Sequence, residues 1–121
     1  MDDTSSSAGP PFVGYALRRV AVAPDLDALR GPLHGRWQLP LHLDASSRSV
    51  YDFGSPPERE LAYRVVLLEA GSRRDHELWL DRDELLHLWP DLYLPRVVRA
   101  AWQAEHAVLA RIGAGPRVPQ L

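Results

Sequence analysis

The sequence predicts an α+β domain, with short antiparallel strands in its N-terminal half packed against two or three helices in its C-terminal half. Three observations lead there. Apolar side chains alternate from Trp37 to Leu43 and recur at Val50, Tyr51 and Phe53, the period-two pattern of strands. After Ser55 the apolar spacing becomes helical and is punctuated by capping residues. Strand-like pieces come first and helical ones after, without the alternation that a parallel βαβ sheet requires.

Residues 1–11 (MDDTSSSAGPP) hold almost nothing apolar and read as a disordered tail. Residues 113–121, with Gly113, Gly115, Pro116 and Pro119, read as a flexible one. Between them, 12–112 form one domain, a size that folds alone with a modest margin. Tyr15, Leu17, Val20 and Val22 point to a first strand over Tyr15–Val22, interrupted by Arg18 and Arg19. Pro24 and Asp25 open a single helical turn to Leu29, closed by Gly31-Pro32. Trp37, Leu39, Leu41 and Leu43 share one face of the next strand, and Pro40, having no N–H, assigns it to an edge or a bulge. A turn at 44–48 joins it to Val50–Phe53 as a hairpin.

Ser55 is a good N-cap, Pro56 and Pro57 suit a first turn, and Glu58 complements the helix dipole. The helix that follows runs to Gly71. Only Glu60, Arg64 and Glu69 interrupt its apolar surface, which predicts burial on most sides, with Leu61, Val65 and Leu68 each contributing about 1.5–3 kcal/mol. Glu77–Leu80 (ELWL) reads as a further strand or an extended connection. Asp81 and Glu84 resemble a capping box for a short helix, Arg82 to Trp89, which Pro90 stops. Pro95 opens one last helix to Ile112, with Val98, Ala101, Trp102, Val108, Leu109 and Ile112 on one face.

Composition removes several classes of function. Apolar residues make up 45% and charged ones 25%, as in ordinary soluble domains. No apolar run approaches the ~20 residues that span a bilayer, and the acidic start is unlike a secretory signal; the cytoplasm is the expected location. With no cysteine there is no disulfide, no thiol nucleophile and no cysteine-ligated metal. All 14 basic residues are arginine and the net charge is −2, so no global field draws the chain to nucleic acid or anionic lipid.

Local patterns leave a few chemical candidates. Gly71-Ser72 followed by Asp81-Arg82-Asp83 has the outline of a polymerase-beta-type nucleotidyltransferase site, in which paired carboxylates hold Mg²⁺. Against it, Arg82 between the two acids competes with a metal, and helix capping accounts for both acids more simply. Asp25-Leu26-Asp27 reads as helix-start charge. The five histidines (His34, His42, His76, His87 and His106) show no i, i+4 pair, although His34 and His42 lie near each other in sequence. No GxSxG elbow and no glycine-rich phosphate loop is present. The helices at 82–112 have the layout of a helix-turn-helix, with Arg96, Arg99 and Gln103 aimed at a groove. The acids Asp81, Asp83, Glu84 and Asp91 would face phosphate unfavourably, so nucleic acid is not the expected partner. What remains is aromatic: Trp79, Trp89, Tyr93 and Trp102 crowd the last third, and Trp, Tyr and Arg dominate binding hot spots. Trp89-Pro-Asp-Leu-Tyr-Leu-Pro95 presents a segment between two prolines, and Trp89, Tyr93, Arg96, Arg99 and Trp102 are the expected partner-binding residues.

Tyr51-Asp52-Phe53, then Arg59, Tyr63, Val66-Leu67 and Glu69-Ala70-Gly71, then Leu88-Trp89, Leu92, Leu94-Pro95, Val98-Arg99 and Trp102 form a spaced pattern. This stretch, from about Leu39 to Trp102, resembles a group of small high-GC bacterial proteins of unknown activity. Members of that group are often encoded beside abortive-infection nucleotidyltransferase toxins of the AbiE type. The pattern departs from theirs in the insertion of Ala70 before Gly71. The resemblance implies an antitoxin-like or accessory role in phage defence with a protein partner, and it assigns no functional residue; the scarcity of convergent reactive groups in the sequence is what argues for no catalysis and no cofactor or metal. The expected function is a non-catalytic module that binds and masks or assists such a toxin. The alternatives are a DNA-binding regulator acting through 82–112 and a Mg²⁺-dependent enzyme using Asp81 and Asp83.

Overall fold

The computed structural model describes residues 20–46 and 50–113. Its order is strands first and helices after, an α+β arrangement in which a two-stranded antiparallel sheet precedes five helical segments. Strand β1 (Arg36–Gln38) pairs with β2 (Val50–Asp52), with Arg36 opposite Asp52, Trp37 opposite Tyr51 and Gln38 opposite Val50. Of the first expected strand, Tyr15–Arg19 lie outside the described residues, and Val20–Val22 are irregular and lean on the core. The helical turn expected after Pro24 is the 3-10 turn Leu26–Ala28, which Asp25 caps through the Asp27 N–H at 2.9 Å.

The strand expected over Trp37–Leu43 stops at Gln38, and Pro40 is the reason. Its carbonyl accepts the N–H groups of Leu43 (2.9 Å) and Asp44 (3.0 Å), curling the chain into a turn instead of a ladder. Leu39 and Leu43 consequently enter the core, while Trp37 and Leu41 are 45% and 75% exposed; the four do not share a face. Asp44 anchors the far side of the hairpin by accepting from the Ser46 hydroxyl and the Tyr51 hydroxyl, each at 2.6 Å. Those bonds, Ser46 first and Tyr51 next, hold its carboxyl below the usual carboxylate range. Gly35, at φ +89°, makes the sharp entry into β1.

Helix α1 (Pro56–Glu69) begins where Ser55, Pro56 and Pro57 place it, although the Ser55 side chain makes no capping bond. The Glu58 carboxylate instead accepts from the Asp52 N–H at 2.9 Å, tying the helix start to β2. The buried face consists of Ala62, Tyr63, Val66 and Leu67. This corrects the expected core set: Leu61 is 40% exposed, and Val65 and Leu68 are only half-buried. The helix is apolar around most of its circumference, so sequence periodicity could not fix its rotation; Tyr63 does, because its hydroxyl accepts the N–H of Asp81 at 2.9 Å.

The expected strand at Glu77–Leu80 is also corrected. Helix α2 (Arg73–Trp79) occupies most of it, started by Ser72, whose hydroxyl accepts from the Asp75 N–H at 3.3 Å. Only Leu80 and Asp81 are extended, and there the chain is held by Gly31 and Arg30, whose N–H groups donate to Leu80 O (2.8 Å) and Glu77 O (3.0 Å). Helix α3 (Arg82–Leu88) starts at Asp81 as expected, its carboxylate accepting from the Glu84 N–H at 3.1 Å. Glu84 does not return the bond; it meets Arg59 at 2.9 Å, while Arg59 also donates to Phe53 O at 2.5 Å. One arginine therefore joins the hairpin end, α1 and α3. A 3-10 turn, Trp89–Asp91, follows at Pro90.

The single last helix is two. Helix α4 (Arg96–Glu105) and helix α5 (Ala107–Ile112) are separated by His106, whose backbone is extended at φ −128°. The break lets the His106 ring reach back to Ala23 O at 2.7 Å, and Leu109 turns into the core. That core contains Trp89, Trp102, Tyr63, Phe53 and Leu85, with His76 fully enclosed beside them. The His76 ring meets Trp102 edge-to-face at 4.9 Å, and neither of its nitrogens has a hydrogen-bond partner. Burial pushes its pKa down to about 4.

Two outcomes follow from this packing. A Cβ on Gly31 would sit 2.4 Å from the Trp79 carbonyl carbon and 2.7 Å from the Leu80 nitrogen, both backbone. Gly31→Ala is therefore expected to cost about 1–3 kcal/mol and lower the melting temperature by several degrees; an unchanged thermal melt would contradict the close approach. His76 is neutral in the folded state, whereas in the unfolded chain it takes up a proton near pH 6.5. Stability is expected to be flat above that pH and to fall between 6.5 and 4, by on the order of 3 kcal/mol. Urea titrations at stepped pH should show that slope, and His76→Phe should flatten it.

Candidate functional site

The partner-binding residues expected from the sequence divide sharply by depth. Trp89 and Trp102 have no exposed surface, and Arg99 is 7% exposed. These three hold the fold from inside, because each has a place among the packed rings that no surface position offers. Tyr93 is 68% exposed, and Arg96, the first residue of α4, is exposed as well. Only these two of the five face solvent.

Tyr93 is exposed yet held in place, and Arg99 explains how. Its guanidinium donates to Trp89 O at 3.2 Å and to Leu92 O, and lies 4.6 Å from the Trp89 ring centroid. A cation over an indole face with two charge-assisted bonds is a strong local clamp. It closes the segment 89–92 under α4 and leaves Tyr93 as the next residue out. Burial lowers the Arg99 pKa from its ordinary value, but arginine stays charged in proteins.

Around Tyr93 the surface forms a groove of about 500 Å³, lined by Arg64, Leu68, Tyr93, Leu94, Pro95 and Arg96. Arg64 and Leu68 lie one turn apart on α1, and the other four form the segment that leads into α4. The Arg64 guanidinium carbon is 5.9 Å from the Tyr93 ring centroid, within cation–π range. The floor is apolar, both charged side chains are arginines, and no carboxylate lines it. Arg96 stands on the first turn of α4, which has no acidic residue to offset the positive end of the helix dipole. Sequence reading missed Arg64 and Leu68. Their signal was the lone arginine interrupting an apolar helix with a leucine four residues on.

The other candidates resolve into structural roles. Asp81 caps α3; Asp83 is exposed, and the Arg82 guanidinium bonds it at 2.8 Å and meets Asp27 at 3.0 Å. Among the described residues no group of three or more His, Asp or Glu is arranged to hold a metal ion. Of the three side chains aimed at a DNA groove, Arg99 is buried and the Gln103 amide donates to Gly113 O at 2.8 Å, which leaves Arg96. His34 and His42 go separate ways: the His34 carbonyl accepts the Trp37 indole N–H at 2.8 Å, while the His42 ring meets Asp75 at 3.0 Å. A second apolar cleft, of about 470 Å³, lies between Trp37, Trp79, Pro32, Leu78 and Arg30. No helix among the described residues is long and apolar enough to cross a membrane.

Compared with protein-family models, curated proteins and solved structures, the chain matches none.

The division between clamp and surface is measurable. Arg99→Ala removes the guanidinium donors to the Trp89 and Leu92 carbonyls and its stack on the Trp89 ring, and is expected to cost about 2–4 kcal/mol in chemical denaturation. Tyr93→Ala is expected to stay within about 0.5 kcal/mol of the parent. Comparable losses for the two variants would mean that Tyr93 belongs to the packed interior.

Proposed function

We propose that this chain is a non-catalytic protein-interaction module, an antitoxin-like partner of a nucleotidyltransferase-type toxin. The observation that carries the first half of the reading is Tyr93: a large aromatic ring, mostly exposed, seated on a segment that a buried arginine holds rigid. A pre-ordered aromatic loses little entropy on contact, and Tyr beside Arg is the composition of interface hot spots. The second half, the kind of partner, rests on the resemblance of residues Leu39–Trp102 to proteins encoded beside such toxins. The action is steric: the Tyr93 surface packs on the toxin and covers or props its working face, while Arg64 and Arg96 contribute charge-assisted contacts. The module works in the cytoplasm, without metal or cofactor.

Co-expression with an AbiE-type nucleotidyltransferase toxin, followed by native mass measurement, tests this. The expected result is a stoichiometric complex that Tyr93→Ala weakens at least about tenfold without changing the protein's own melting temperature. Recovery of the wild-type chain free of the toxin would defeat the proposal.

A further inference from the structure

We infer that the Arg64–Tyr93–Arg96 groove takes a short acidic segment of a partner protein, with carboxylates on the two arginines and an apolar side chain on the floor between them. The inference deepens the reading above and rests on its claim that this surface meets a protein.

The argument starts from charge. Three arginines elsewhere among the described residues meet acids: Arg59 with Glu84, Arg73 with Glu77, and Arg82 with Asp27 and Asp83. Arg64 and Arg96 take part in no ion pair there, and both line one groove that no acid enters. The chain as a whole carries a net charge of −2, so this is a local positive patch on an acidic protein. The Arg64 Nε is covered and donates to nothing, and its guanidinium is held beside the Tyr93 ring. The terminal amino groups of Arg64 and the whole guanidinium of Arg96 are left for a ligand.

Size and polarity narrow the ligand further. A groove of about 500 Å³ accepts a few side chains and excludes a folded domain. Leu68, Leu94, Pro95 and the Tyr93 ring give it an apolar floor, which a sugar-phosphate backbone does not fill. Exposed Asp91, two residues before Tyr93, would repel a long polyanion that ran past the groove. Guanidinium forks bind carboxylates with two parallel bonds, and an apolar side chain beside the carboxylate uses the floor. An acidic segment with interspersed apolar residues meets both demands.

The test uses an eight-residue peptide of alternating glutamate and leucine, blocked at both ends and fluorescently labelled, and its glutamine twin. Anisotropy is read with the full chain, with the Arg64→Gln/Arg96→Gln double variant, and with Arg74→Gln, an exposed arginine outside the groove. The glutamate peptide is expected to bind at least about tenfold more tightly than its twin, to weaken with added salt, and to lose about tenfold in the double variant. Arg74→Gln should leave binding unchanged. No binding at millimolar protein, equal binding of the twin, an undiminished double variant, or displacement by oligothymidine at equal concentration would each overturn the inference. A toxin complex that survives the double variant but not Tyr93→Ala would sink the carboxylate assignment and leave the interaction module standing. Charge-dependent peptide binding without any toxin complex would do the reverse.

Discussion

One buried cation determines the shape of the surface on which function is argued. Arg99 sits beneath the 89–95 segment, bonded to the Trp89 and Leu92 carbonyls and stacked on the Trp89 ring. Two prolines, Pro90 and Pro95, restrict the backbone of that segment but cannot by themselves hold it against the domain. The guanidinium supplies what they lack: charge-assisted donors to the Trp89 and Leu92 carbonyls that tie the segment to α4. With the buried Trp89 and Leu92 side chains, it keeps Tyr93 over α1 and starts α4 where Arg96 meets the groove.

The interior around this clamp is aromatic and economical in hydrogen bonds. Trp89 and Trp102 are both fully enclosed, and their indole N–H groups have no partner among the described residues. Part of the cost of an unpaired donor is offset where a ring face lies opposite, as at the edge-to-face contact of His76 with Trp102. Other polar bonds fix the architecture around it. Tyr63 catches the Asp81 N–H, Arg59 spans Glu84 and Phe53 O, and Asp44 gathers Ser46 and Tyr51. Each joins segments that are distant in sequence or closes a turn, so they set the relative placement of elements that hydrophobic burial alone leaves loose.

What the sequence disclosed and what it hid follow from the range of the interactions involved. Asp81 and Pro56 announce helix starts because a cap acts within a few residues, and the structure has both. The Trp37-to-Phe53 hairpin was legible from alternation, but its first strand came out shorter because the Pro40 carbonyl draws in Leu43 and Asp44. Leu78, Trp79 and Leu80 look like strand residues; the helix there is decided by the Ser72 cap and by packing around Trp79, which local preference does not register. The rotation of α1 was invisible because a helix apolar on most sides carries no directional signal, and a tyrosine bonded 18 residues away decided it. The same limit applies to the site. Tyr93 and Arg96 were recognisable as hot-spot residue types, whereas Arg99 has the identical chemistry and goes inward. Only the carbonyls it meets, 7 and 10 residues earlier in the chain, tell the two arginines apart.

The bond from His106 to Ala23 O joins positions 83 residues apart. Synthesis runs from the N-terminus, so Ala23 emerges long before the imidazole that will hold it exists. Leu26 and Leu29, which follow Ala23 into the core, must wait in the nascent chain for α3 and the kinked α4–α5 pair to arrive. Closing so wide a ring adds little entropy per extra residue, yet it makes the last native step dependent on the late-made half. This is a domain that reaches its final form only after nearly all of its described chain has been translated.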